Sequence, residues 1–237
     1  MSETKLSVLT NVRERENGLL KHVYGYMSLG LIITALFSYL ISQSSTAIRF
    51  IYSNPFVTIL CAIAELGLVM FLSMRLERMS TRSAQICFIT YSILTGVTLS
   101  SIFLVYTGAS IAKAFTTTAL MFIALTIYAN VTKRNIASWG TYLMMGLFGI
   151  IIASTINLFF GFRSVDLFIS ILGVIIFLGL TVYDSKRVID MNREYGSEMT
   201  EEEYTKIGII GALNLYLDFL NIFLYLLRLF GASSNRD

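Results

Sequence analysis

The sequence predicts an all-α, polytopic membrane protein with seven transmembrane helices, the C-terminal one central. Three observations carry this. Of 237 residues, 55% are hydrophobic and 14% charged, where a soluble domain averages about 25% charged. Apolar runs of bilayer-crossing length, about 20 residues, follow one another through nearly the whole chain, and the mean hydropathy is +0.71. Lysine and arginine fall mostly on alternate loops, the bias that sets orientation in membranes. The net charge of +3 therefore reports topology. No basic run interleaved with exposed aromatics points to nucleic acid.

The predicted organisation is a cytoplasmic N-terminal tail at 1–22, a seven-helix transmembrane domain at 23–231 and a C-terminal tail at 232–237. The N-terminal tail is polar and lacks a short apolar core before a small-residue cleavage site, so the first span is expected to act as its own insertion signal. The spans are Val23–Ile41, Pro55–Met74, Ala84–Tyr106, Ile111–Val131, Trp139–Phe159, Val165–Tyr183 and Ile207–Phe230. The only proline, Pro55, opens the second span, where a helix tolerates it. The longest loop is 185–206. Within it Thr200 and Glu203 form a capping-box pair, which allows the last helix to begin early.

With the N-terminus in the cytoplasm, 13 basic residues lie inside and 5 outside, the latter being Arg49, Lys113, Arg163, Arg228 and Arg236. That is a clear positive-inside bias. Seven full spans, which the sequence favours, put the C-terminus outside; a re-entrant last segment would return it inside. Cys61 and Cys87 read as free buried thiols behaving as small hydrophobes. The lone histidine, His22, reads as interfacial, and no Cys/His spacing fits a metal or haem site. No cofactor is expected.

Three acids are set among apolar residues. Glu65 is near the middle of the second span and Asp218 near the middle of the seventh. Asp184 is at the cytoplasmic end of the sixth, followed by Lys186 and Arg187, which can snorkel to the interface. An ionisable group in hydrocarbon costs a few kcal/mol or more unless paired, neutralised or wetted. On the seventh span Gly211, Asn214, Asp218, Asn221 and Tyr225 recur at three- and four-residue steps and make one polar stripe. Such a stripe must be buried against protein or water. Asn214 and Asn221 also fit plain interhelical hydrogen bonding, worth about 1 kcal/mol each. Arg75 ends the second span on the same side as Asp184, so it is either that residue's ion-pair partner or part of the positive flank with Arg78 and Arg82.

These residues carry a resemblance. Phe177-Leu-Gly-Leu-Thr-Val-Tyr-Asp-Ser and Ala212-Leu-Asn-Leu-Tyr-Leu-Asp-Phe-Leu-Asn-Ile-Phe-Leu-Tyr-Leu-Leu-Arg-Leu-Phe-Gly resemble the Bax inhibitor family, the transmembrane Bax inhibitor motif proteins. Ala64-Glu-Leu, Gly96-Val-Thr-Leu after Tyr91, Ala114-Phe, Tyr128 and Thr132-Lys agree, so the likeness covers nearly all of 18–231, and the short tail and compact loops look like the bacterial branch. It implies a seven-helix fold in the inner membrane with the last helix wrapped by the others, and a pH-sensitive calcium leak. It also implies two facing aspartates that share a proton, here Asp184 and Asp218, an arginine bonded to them, best matched by Arg75, and an acid on the second helix, Glu65. Bacterial relatives can act on a membrane protease, which makes such a protease a possible partner.

Two carboxylates within hydrogen-bond reach in a poorly solvated site cannot both ionise cheaply, so such a pair titrates as a unit. Carboxylates, asparagine oxygens and water are the hard ligands calcium uses. Asp184 and Asp218 would form a weak, transient calcium site, and Glu65, Asp218, Asn214 and Asn221 an ion path. One geometric difficulty stands. Span counting places Asp218 about 15 Å deeper than Asp184, at 1.5 Å per residue. The two meet only if the sixth helix runs past Arg187 or the seventh begins near Thr200.

Other readings fit less well. An aspartyl intramembrane protease would match Tyr183-Asp184, but it needs Gly-x-Gly-Asp where this chain has Leu215-Tyr-Leu-Asp218. A retinal receptor needs a lysine inside the seventh span, and Lys206 lies at its edge. No enzymatic activity is expected. A regulatory binding protein without transport is the alternative to the leak.

Overall fold

The computed structural model describes residues 3–195 and 199–231, with side chains from Gly18 onward except Glu77 and Tyr195. The C-terminal tail at 232–237 lies outside the described residues. The elements are α1 Glu3–Ser42, α2 Ser45–Tyr52, α3 Pro55–Arg75, a 3-10 turn Leu76–Arg78, α4 Thr81–Leu99, α5 Ile102–Val105, α6 Gly108–Val131, α7 Ala137–Phe160, α8 Arg163–Tyr195 and α9 Glu201–Phe230. Among the described residues seven helical stretches are long and apolar enough to cross a membrane, one at each predicted span.

Local chemistry sets the starts. Ser44, Asn54, Ser80 and Thr107 each place a side-chain oxygen on a backbone N–H of the first turn that follows, satisfying donors the helix cannot. Pro55 takes the first position of α3 behind Asn54, as expected. The stop of α7 is equally specific. Gly161 adopts φ +66° and its N–H returns to the Asn157 carbonyl, a left-handed cap that glycine enters without a Cβ penalty.

Four features depart from the span reading. The polar tail is helical from Glu3, and α1 carries it without a break into the first span. The loop after that span holds the short helix α2. The third span is interrupted at Ser100–Ser101, between α4 and α5. There the Tyr52 hydroxyl accepts the Ser101 N–H at 3.0 Å and lies 2.8 Å from the Thr98 carbonyl. It thereby satisfies backbone groups freed by the break, the condition for irregular backbone at membrane depth. Lastly, most of the predicted loop 185–206 is helix: α8 continues to Tyr195 and α9 starts at Glu201.

The capping box forms as read. Glu203 Oε2 accepts from Thr200 N and Thr200 Oγ1, both at 2.9 Å, and Glu203 N donates to Thr200 Oγ1 at 3.3 Å. Thr200→Ala is expected to cost about 1 kcal/mol. Hydrogen exchange should show the first turn of α9 opening faster while the middle of α9 keeps its protection.

The chain divides into two compact units, 1–105 with 188–216 and 106–187 with 217–237. In the first, α1 and α4 approach closely at Gly96, where a Cβ would stand 2.9 Å from the Thr34 carbonyl oxygen. Small residues at such crossings let helix backbones pack in lipid. Tyr216 of α9 is fully buried there, its ring edge-on to Phe88 and Tyr91. In the second unit Phe115 and Phe122 of α6 pack on Phe219. Burial is greatest on α9: 67% of its apolar window is buried, against 44% for α8 and 6% for α3. The outer surfaces of α3, α6 and α7 are correspondingly apolar, with Phe56, Leu120 and Phe148 exposed.

Candidate functional site

Asp184 and Asp218 both belong to the second unit. Their heights follow from the packing of α8 on α9. The Tyr225 ring lies against Gly173, where a Cβ would be 2.5 Å from it, and its centroid is 6.0 Å from that of Phe177. Counting from this level along antiparallel helices, Asp218 stands opposite Leu180, about one turn or 6 Å from Asp184. Side chains on a helix tilt toward its N-terminus. On antiparallel neighbours the two aspartates therefore lean toward each other, which narrows the remaining offset. The depth difference of the sequence reading shrinks from about 15 Å to about 6 Å, and both routes it left open are taken: α8 runs past Arg187, and α9 begins next to Thr200.

The two acids sit in different surroundings. Asp218 is only 3% exposed, and its Oδ2 has no hydrogen-bond partner among the described residues. Asp184 is half-buried, and its charge acts on Asp218. The cation whose charge acts on Asp184 is Arg187, three residues on and exposed. A buried carboxylate oxygen left without a donor is unfavourable unless a proton or cation reaches it.

Lys186 corrects the snorkelling expectation. It is 9% exposed and its ammonium donates to the Thr132 carbonyl at 3.2 Å. It thus caps the C-terminus of α6, where a cation complements the helix dipole. Ser185 is fully buried and its hydroxyl has no partner among the described residues. Thr181 donates to the Phe177 carbonyl at 2.8 Å. The tight seat of Tyr183, whose ring fills the space a Cβ at Gly140 would take, fixes α8 beside Asp184. Arg187 stays exposed, as the snorkelling reading expected, and Ser185 is the neighbour that sequence reasoning passed over, although the run Asp184-Ser-Lys-Arg187 placed it within the same turn.

The other candidate residues fall as follows. Asn221 donates to the Leu217 carbonyl at 2.8 Å, so its amide bonds back onto its own helix. Asn214 is half-buried and its side chain forms no hydrogen bond with a described residue; it and Gly211 belong to the first unit, with Glu65 and Arg75. Glu65 is half-buried and accepts from Thr98 Oγ1 at 2.6 Å. Its charge also acts on Tyr91 and Tyr216. Arg75 is exposed at the C-terminal end of α3. Cys61 and Cys87 are free and half-buried, less enclosed than expected. His22 bonds to the Gly18 carbonyl at 3.0 Å and lies edge-on to Tyr204. Among the described residues no three His, Cys, Asp or Glu stand together, so the aspartates form a pair without a third acid.

The model of the family described as "Inhibitor of apoptosis-promoting Bax1" matches residues 16–235. The chain belongs to the Bax inhibitor family. The inner membrane protein YbhL of Escherichia coli K12 is 41% identical over 209 residues, covering 88% of this chain and 89% of that one. An uncharacterized protein of Borreliella burgdorferi is 42% identical over 220 residues, with 93% and 94% covered. One of Rickettsia prowazekii is 37% identical over 209 residues, with 88% and 87% covered. Together with the seven apolar helices these likenesses make this Bax inhibitor family member a multi-pass bacterial inner membrane protein. Asp184 and Asp218 both lie within the matched span.

Proposed function

We propose that the protein is a pH-sensitive calcium leak of the inner membrane, gated by a proton shared between Asp184 and Asp218. The single observation that supports this most is the Asp218 carboxylate, 3% exposed with one oxygen unpartnered, next to the charge of Asp184. A second acid able to lend a proton satisfies that oxygen without an imported cation. Loss of the proton adds one negative charge to an apolar enclosure, and a divalent cation is the natural counter-charge. Two carboxylates without a rigid loop hold calcium weakly, which suits transit. Calcium and protons are the small partners of this reading, no cofactor is invoked, and the protein is not an enzyme.

Glu65, Asn214 and Asn221 are assigned to the ion path, and Arg75 is the arginine through which the pair is gated. The N-terminus is cytoplasmic, on the strength of 13 basic residues against 5. The test is calcium entry into liposomes holding only the purified protein, measured across the neutral pH range. A flux above that of protein-free vesicles that varies with pH supports the leak. Zero flux together with co-purification of a membrane protease or other partner favours the regulatory alternative.

A further inference from the structure

A pocket of about 840 Å³ opens in the second unit where α7 ends, α8 begins and α9 ends. The leak makes no use of it. Arg163, Asp166 and Ser170 of α8, Asn157 of α7 and Arg228 of α9 line it. Asp166, in the first turn of α8, is an acid beyond the three singled out in the sequence, and its neighbours hold it in place. Asn157 donates to Asp166 Oδ1 at 2.7 Å and to the Phe162 carbonyl at 3.2 Å, and accepts from Phe162 N at 3.1 Å. Ser170 donates to the Asp166 carbonyl at 2.7 Å. These bonds make a rigid floor.

The two arginines are the open groups. Neither Arg163 nor Arg228 has an ion-pair partner among the described residues. Arg228 is held over the Tyr225 ring, 5.7 Å from its centroid. Arg163 is the first residue of α8, where the helix already favours an anion and disfavours a cation. Two guanidinium groups in that position call for an anion with several oxygens. Apolar side chains open the pocket outward: Leu158, which lines it, is 82% exposed, and Leu167, which lines it too, is exposed. A soluble anion gains nothing from such side chains, whereas an acyl chain does.

We propose that this pocket binds the headgroup of an anionic phospholipid, its phosphate between Arg163 and Arg228 and its chains along Leu158 and Leu167. The test uses the full chain, delipidated in mild detergent and titrated with phosphatidylglycerol or phosphatidylcholine, with bound lipid counted by native mass spectrometry. The wild type should prefer phosphatidylglycerol by about tenfold. The double variant Arg163→Gln/Arg228→Gln should lose that preference. Lys113→Gln, which removes an exposed cation at the start of α6, should keep it. Equal uptake of the two lipids by the wild type overturns the proposal. So does displacement of phosphatidylglycerol by excess inorganic phosphate, which would make the site one for a soluble anion. A monodisperse double variant that keeps the preference overturns it as well. If that variant does not fold, the wild-type preference and the phosphate competition decide.

Discussion

In liposomes, the proposed leak predicts that Asp218→Asn and Asp184→Asn each give a calcium flux that no longer follows pH. Asparagine keeps the shape of aspartate but cannot lose the proton that the pair would share. Each single variant retains one carboxylate, the same charge as the pair with its proton in place. Both variants should therefore stay at the wild-type flux of the acid end of the range, whichever end conducts better. The effect is large because one charge at about 4 Å is worth about 4 kcal/mol per unit of cation charge at an effective dielectric near 20. Even a screened fraction of that spans a tenfold change in rate. A normal pH response in both variants would sink proton sharing, and so would an Asp184–Asp218 separation above about 8 Å in every state, beyond the reach of a bridging water.

Tyr216→Ala is expected to cost the most stability of any single truncation on α9, about 3–5 kcal/mol for a fully buried aromatic. Its ring is edge-on to both Phe88 and Tyr91 at 5.9 and 5.8 Å. Its hydroxyl is 2.6 Å from Thr34 Oγ1, which itself donates to the Ser92 carbonyl at 2.9 Å. Threonine has one proton to give, so Tyr216 is the donor and a directed relay runs from Tyr216 through Thr34 to Ser92. Tyr216→Phe keeps the ring and removes only the head of that relay, for a loss of about 1 kcal/mol. Unfolding in a denaturing detergent measures both. Equal losses in the two variants would mean that the hydroxyl, and not the ring, holds α9 to α1 and α4.

Much of this was legible in the sequence, for identifiable reasons. Bilayer thickness fixes span length, so hydropathy alone located seven helices. The Thr200–Glu203 pair announced the start of α9 because capping is local chemistry. Asp184 and Asp218 stood out because an acid in hydrocarbon is expensive. What escaped was what depends on neighbours distant in sequence. The break at Ser100–Ser101 needs Tyr52, some fifty residues earlier, to satisfy the freed backbone, and nothing in the run Thr-Leu-Ser-Ser-Ile-Phe declares it. Lys186 looked like a snorkelling cation; only the end of α6 at Thr132 turns it inward. Helix extension past the apolar segment was invisible for another reason. The stretch after Asp184 is polar enough to read as loop, yet its Val188 and Ile189 are buried and carry the helix on. Asp166 was passed over because its partner Asn157 lies across the turn in α7.

Tyr216 and Asp218 are two residues apart on one uninterrupted helix, which places them about 200° apart around its axis. Tyr216 belongs to the first unit and Asp218 to the second, so one shaft carries a residue of each. Within the first unit, a turn of α9 about its axis must swing the Tyr216 hydroxyl out of line with Thr34. The helix can turn there only by breaking a tyrosine hydrogen bond, so the phenol acts as a detent on that rotation.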